Sequence, residues 1–494
     1  MNILIRYILL FSSMLFFGVG LIFQEPMVLL VAILLVFTHN ITYSLKKFYE
    51  RIIFFSFNVT FFIFLIGRIV VSGIFEYKIE LRGLFGLDFE DKETLNSVII
   101  CLYISLLALC IGYALIQKYD LKFLKAKKEL NPGYLHSLRF FSLVFFYFCM
   151  VFRLIYVFEM KQTAVTEGYY ESFMTFKSSL PSILVQISQM YDVAFFAYLA
   201  TKPTKKKSLF PVLLYLGEGL FSALAGRRSV FILNLFIVFI YYCIRSIPEI
   251  EKKEKKEKKE KKEKKWLGKF EWTLALVGVP VLMTFMTIIG KIRADFGGQR
   301  ESSSFFDSIL EFFYSQGVSA NVIGYTKVYA EQLPIGKWYT FGPLVEFIDG
   351  RIIKPLNGMS REVGQTVEMA TNGHLFTHAI SYLIMPGAYL IGYGYGSSYI
   401  AELYTDLSYF GVFIGSIVYG AIIYVLYYMI RHSNYVMVIF ALMMARSILF
   451  APRAAALSFI VSSFSASKIA AVIFIIIGSK LLHSLIGNKK FALS

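Results

Sequence analysis

Residues 209–244 read LFPVLLYLGEGLFSALAGRRSVFILNLFIVFIYYCI. Two apolar runs flank a single charged pair, Arg227-Arg228. Each run is about 16 residues, close to what a helix needs to cross ~30 Å of hydrocarbon. Lysine-rich segments bound the stretch at 201–208 and 245–271. The pattern predicts a hairpin of two short membrane spans with the arginines at its apex. With the lysine-rich sides in the cytoplasm, the pair lies on the outer surface, where orientation rules disfavour cations unless they serve a purpose.

The same apolar pattern recurs along the whole chain. It is 57% hydrophobic, with a mean hydropathy of +0.62. Runs of spanning length fall at about 7–23, 27–45, 52–75, 97–117, 140–158, 181–200, 209–225, 229–244, 272–290, 408–430, 435–450 and 468–483. The expected fold is an all-α polytopic membrane protein of about 12 transmembrane helices with one large, partly helical outer loop. Period-2 alternation is absent, which excludes an outer-membrane barrel. The first run follows Arg6 and ends in Gln24-Glu25-Pro26 without a small-x-small cleavage site, so a retained span is expected.

The formal net charge is +17. Its distribution argues against nucleic-acid binding. Loops on the side holding both chain ends sum to about +20, and those on the other side to about −3. The excess is a topology signal, with both ends expected in the cytoplasm. All four cysteines fall within spans, so no disulfide framework or zinc site is expected.

The organisation reads as nine spans over 1–290, an outer loop over 291–407, and three spans over 408–494. The segment 251–265 is a Glu-Lys-Lys repeat, a solvated cytoplasmic insert without an apolar face. The loop 291–407 is far longer than an ordinary connection. Its aromatic content and near-zero charge oppose disorder. Short helices are expected at Phe305–Tyr314 and Val363–Ile380, and Leu383–Ile391 is too short to span. No internal repeat supports an inverted-repeat transporter.

Several residues have the chemistry of a site. A guanidinium offers planar bidentate donors that match phosphate oxygens. Arg227 and Arg228 therefore suit a pyrophosphate at head-group height. Arg446 and Arg453, around Pro452, and Arg293 and Arg300, in KIRADFGGQRES, are further outer-face cations. Glu218, in LGEGL, needs a partner in lipid, whether an apex arginine, Arg68 or Arg153. His374 and His378 are four apart, sharing a face if their stretch is helical. Glu402 and Asp406 share a helical face just before the tenth span. Any of these four supplies a general base. Neither a metal motif nor a nucleotide loop is present, so no cofactor and no metal are expected.

Two segments, ALAGRRSVFILN and GYGYGSSYIAELYTDLSYFGVFIGSIVYG, together with the span count and the late outer loop, make the chain similar to the Wzy-type O-antigen and capsule polysaccharide polymerases. Some members carry outer-loop arginines followed after ten residues by glycine. That spacing is absent here, and no role is transferred from it. The resemblance implies transfer of a glycan from undecaprenyl pyrophosphate to a new lipid-linked repeat unit, at the outer face of the bacterial plasma membrane. It implies as partners the undecaprenyl-pyrophosphate-linked oligosaccharides, the bilayer, and a chain-length regulator and flippase of the same pathway, but no nucleic acid. A flippase for the same glycan, or a related O-antigen ligase, is the alternative.

Overall fold

The computed structural model describes residues 3–77, 91–126, 130–166, 175–254, 304–359 and 364–491, and short pieces between 266 and 287. Among the described residues there is no strand, and 10 helices are long and apolar enough to cross a membrane. These are Leu4–Phe23, Pro26–Lys46, Ile52–Ile74, Lys92–Ile116, Pro132–Thr166, Ser182–Ala200, Lys205–Leu224, Arg228–Ile247, Tyr399–His432 and Ser458–Leu485. A shorter apolar helix covers Tyr435–Ile448. Each coincides with an expected span. The expected ninth span, 272–290, lies mostly outside the described residues, as do Arg293, Arg300 and most of the Glu-Lys-Lys repeat.

The chain forms two compact units. The first comprises Met1–Tyr119, Cys243–Tyr424 and Ile448–Val461; the second comprises Asp120–Tyr242, Val425–Ser447 and Ser462–Ser494.

In the first unit, the opening helices form a hairpin through Gln24, whose φ is 51°, and Pro26 at the start of the next helix. Proline fits there because its missing N–H has no intrahelical acceptor. The span Ile52–Ile74 is the enclosed one: 78% of its apolar window is buried, against 11% for the first helix. Lys92–Ile116 starts at Asp91, whose carboxylate accepts from the amides of Glu93 (3.2 Å) and Thr94 (2.9 Å). This helix meets Tyr399–His432 through glycines. A Cβ on Gly112 would lie 2.0 Å from the Ile417 carbonyl oxygen, and one on Gly420 2.2 Å from that of Leu109. Small residues let backbones approach this closely in membranes. Ser105 Oγ reaches Tyr399 Oη (2.6 Å) and Ser416 Oγ (2.8 Å) across the contact.

The segment 304–398 also belongs to the first unit and is partly helical, as expected. Phe305–Gln316 begins on a Ser304 cap that accepts from the Asp307 amide (3.1 Å). The expected helix over 363–380 is instead two pieces, Val367–Thr371 and Phe376–Ile384. Asn372 and Gly373, weak helix formers, separate them. His374 therefore lies in the link, and the continuous helix on which a shared face with His378 depended is not formed.

Candidate functional site

The hairpin apex lies in the second unit and is closed by its own backbone. Gly226, at φ 92°, ends the helix Lys205–Leu224 in the left-handed region that favours glycine. The Arg227 amide donates to Ser222 O (2.8 Å) and the Gly226 amide to Ala223 O (2.9 Å). This pair of bonds is a Schellman cap, which satisfies the last carbonyls of the helix. The next helix starts at Arg228, and the Val230 amide donates to Arg227 O (3.1 Å). Arg227 thus stands immediately before a helix N-terminus, where the dipole favours anions and opposes cations. Both arginines are half-buried.

Below the apex lies a buried charged cluster. Glu218 is fully buried and accepts three bonds, from Arg153 Nε (2.8 Å), Tyr191 Oη (3.0 Å) and Ser222 Oγ (2.7 Å). Of the partners open in sequence, the structure selects Arg153. Ser222 joins two layers, since its hydroxyl serves Glu218 and its carbonyl receives the Arg227 amide. Gly219 lets the two hairpin helices close, because a Cβ there would lie 3.1 Å from Phe231 Cα.

Arg446 joins the same region. Its Nε donates to Asn234 Oδ1 (2.8 Å), and Asn234 Nδ2 to Tyr215 O (3.3 Å). Asp192 and Glu218 lie within electrostatic reach of Arg446. Lys468 Nζ pairs with Asp192 Oδ2 at 3.1 Å. Tyr215, stacked on Phe195, has a buried hydroxyl with no hydrogen-bond partner among the described residues. Among the described residues of this cluster, Arg153, Arg446 and Lys468 outnumber Asp192 and Glu218.

The remaining candidates lie in the first unit. Arg453, on a short turn containing Pro452, donates through Nη1 to Gln316 O (3.2 Å) and Oε1 (3.1 Å). Glu402 is fully buried and accepts from Ser397 Oγ (2.7 Å) and the Ala456 amide (2.7 Å). Asp406 accepts from the amides of Tyr339 (2.9 Å) and Thr340 (2.7 Å), holding the segment 304–398 to the helix Tyr399–His432. The helix is broken just beyond, where Ser408 has φ 54°.

His374 is held by its backbone, whose amide donates to Glu346 Oε2 (3.2 Å). His378 Nδ1 bonds the Tyr389 hydroxyl (2.8 Å), which itself donates to Thr366 O (3.3 Å). Burial holds the His378 pKa below its ordinary value, against the opposing effect of Glu346.

Sequence reasoning did not single out Glu346, Tyr215, or the Asp192–Lys468 pair. The signal available for the pair was an acid and a lysine each inside an apolar run, where an ionisable group calls for a partner.

The family model described as "O-antigen polysaccharide polymerase Wzy" matches residues 3–484. The match covers nearly the whole chain, and the chain belongs to this family. No curated protein and no solved structure matches it.

Proposed function

From that family membership, we propose that this chain polymerises undecaprenyl-pyrophosphate-linked repeat units at the outer face of the plasma membrane. The observation that supports this reading is the excess of Arg153, Arg446 and Lys468 over Asp192 and Glu218 in the buried cluster of the described residues. A surplus of buried positive charge is costly unless an anion completes it. A lipid pyrophosphate supplies that anion. The apex adds a helix N-terminus, whose dipole favours phosphate.

In this mechanism the acceptor hydroxyl oxygen attacks the anomeric carbon of the donor glycan. The bond from that carbon to the pyrophosphate oxygen breaks, and the lipid pyrophosphate leaves with the electron pair. Arg227, Arg228 and Arg446 stabilise the charge that develops on it. The acceptor proton goes to a base. Within the first unit, which holds His374, His378, Glu402 and Asp406, His378 has the chemistry of a base near neutral pH, because burial lowers its pKa. Asp406 is engaged by two backbone amides and reads as a clamp.

The test is surface glycan length in cells expressing Arg227→Ala and Arg228→Ala, singly and together. Long glycan is expected to disappear while single-repeat products persist. Unchanged chain length in variants that still insert overturns the pyrophosphate assignment. Repeats accumulating on the cytoplasmic side after deletion of the protein overturn the polymerase reading in favour of a flippase.

A further inference from the structure

A second cationic site lies in the first unit. Arg6 is in the opening helix near its start, Tyr43 near the end of Pro26–Lys46, Arg51 caps the start of Ile52–Ile74, and Gln117 caps the end of Lys92–Ile116. Successive helices alternate in direction, so these four residues share one end. Both guanidinium groups stack on the Tyr43 ring, with Arg6 Cζ 4.6 Å and Arg51 Cζ 3.7 Å from its centroid. The two cations thus lie within about 8 Å of each other and repel.

Their partners are all neutral. Arg51 Nη1 donates to Tyr43 O (2.6 Å) and Nη2 to Gln117 Oε1 (3.2 Å). The Tyr43 hydroxyl uses the same Gln117 oxygen (2.8 Å). Among the described residues, neither arginine forms an ion pair. The Nε of each is buried without an acceptor, and Arg51 as a whole is 8% exposed. Glu50, the adjacent acid, pairs with Lys47 (3.1 Å) instead. Lys46, Lys47 and Lys118 are exposed at the same helix ends.

A buried and a half-buried cation, each with a buried Nε that has no acceptor, favour an anion with several acceptor oxygens. A phosphodiester has them, and guanidinium groups match it in geometry. We propose that Arg6 and Arg51 form a binding site for the phosphate of an anionic phospholipid in the leaflet at this end, with the three lysines as its rim. The Tyr43 ring, shared by both guanidinium groups, ties the two cations to one place. The site is separate in sequence from the Arg227-Arg228 apex, and it holds a structural lipid whether or not the pyrophosphate assignment is correct.

Native mass spectrometry of the full chain released from detergent tests this, with phosphatidylglycerol, phosphatidylcholine or inorganic phosphate as the probe. Wild-type protein is expected to retain phosphatidylglycerol in preference to phosphatidylcholine. Arg6→Gln with Arg51→Gln is expected to weaken that retention about tenfold or more, since charge-assisted bonds are lost. Unchanged retention in the double variant, or equal retention of phosphatidylcholine by wild type, overturns the proposal. Inorganic phosphate at millimolar concentration displacing the lipid entirely overturns the lipid as the source of the phosphate. If Arg51→Gln fails to accumulate, the half-buried Arg6→Gln carries the test alone, and full retention in it is refuting.

Discussion

Removing the Glu218 carboxylate tests the charged cluster most directly. Glu218→Ala takes away the acceptor of three donors and leaves Arg153, whose side chain is 4% exposed, without its counter-charge. Breaking a buried pair on one side costs about 3–5 kcal/mol. Glu218→Gln is a different perturbation. Its carbonyl oxygen takes the Oε1 position and still accepts from Arg153 Nε and Ser222 Oγ. Its amide nitrogen takes the Oε2 position, where the Tyr191 hydroxyl turns to accept. The charge is lost but every donor keeps a hydrogen-bond partner, so the cost falls at the lower end of that range, about 3 kcal/mol. Arg153→Met with Glu218→Met removes both charges together and is expected to recover most of the loss. Unfolding by SDS in mixed micelles, followed by far-ultraviolet circular dichroism, ranks the variants. The reasoning fails if Glu218→Ala stays within about 1 kcal/mol of wild type. It also fails if Glu218→Gln is as damaged as Glu218→Ala.

Further outcomes are expected elsewhere. Asp406→Ala orphans the Tyr339 and Thr340 amides, at about 1–3 kcal/mol, and limited proteolysis should cut the 329–345 region faster. His378 has its pKa lowered by burial, so the unfolded segment binds more protons below its ordinary value of about 6.5. Local stability is therefore retained above that pH and lost as pH falls below it; proteolysis at pH 7.5 and 5.5 should show this, and His378→Gln should flatten the difference. Gly112→Ala forces a Cβ against the Ile417 carbonyl and should cost about 1–3 kcal/mol. Gly217→Ala, with open space around it, should be neutral or slightly stabilising in the same unfolding measurement.

The membrane spans were legible because hydrocarbon thickness imposes a length that any apolar run reveals. The hairpin apex was legible for the same reason, and AGRR supplied a glycine where the helix had to end. Glu218 could be assigned a cationic partner but not Arg153 in particular, since sequence does not fix which spans are neighbours. Asp406 was read as a possible base because an acid near a helix start has the same signature whether it works on substrate or holds backbone amides. Its partners, the Tyr339 and Thr340 N–H groups, are common to all non-proline residues and leave no mark in a sequence. A shared face for His374 and His378 required a continuous helix, and Asn372-Gly373, two weak helix formers, interrupts it.

The Glu402 carboxylate imposes a timetable on synthesis. Ser397, on the near side, is made before it, but the Ala456 amide that binds its other oxygen emerges 54 residues later. At ribosomal speeds that interval is roughly 3–11 s. Through it, the nascent chain lacks the second of the two donors that Glu402 has in the folded protein. A nascent chain that stops short of Ala456 therefore loses more than its last helices. It also lacks a donor on which a fully buried acid of an earlier helix depends.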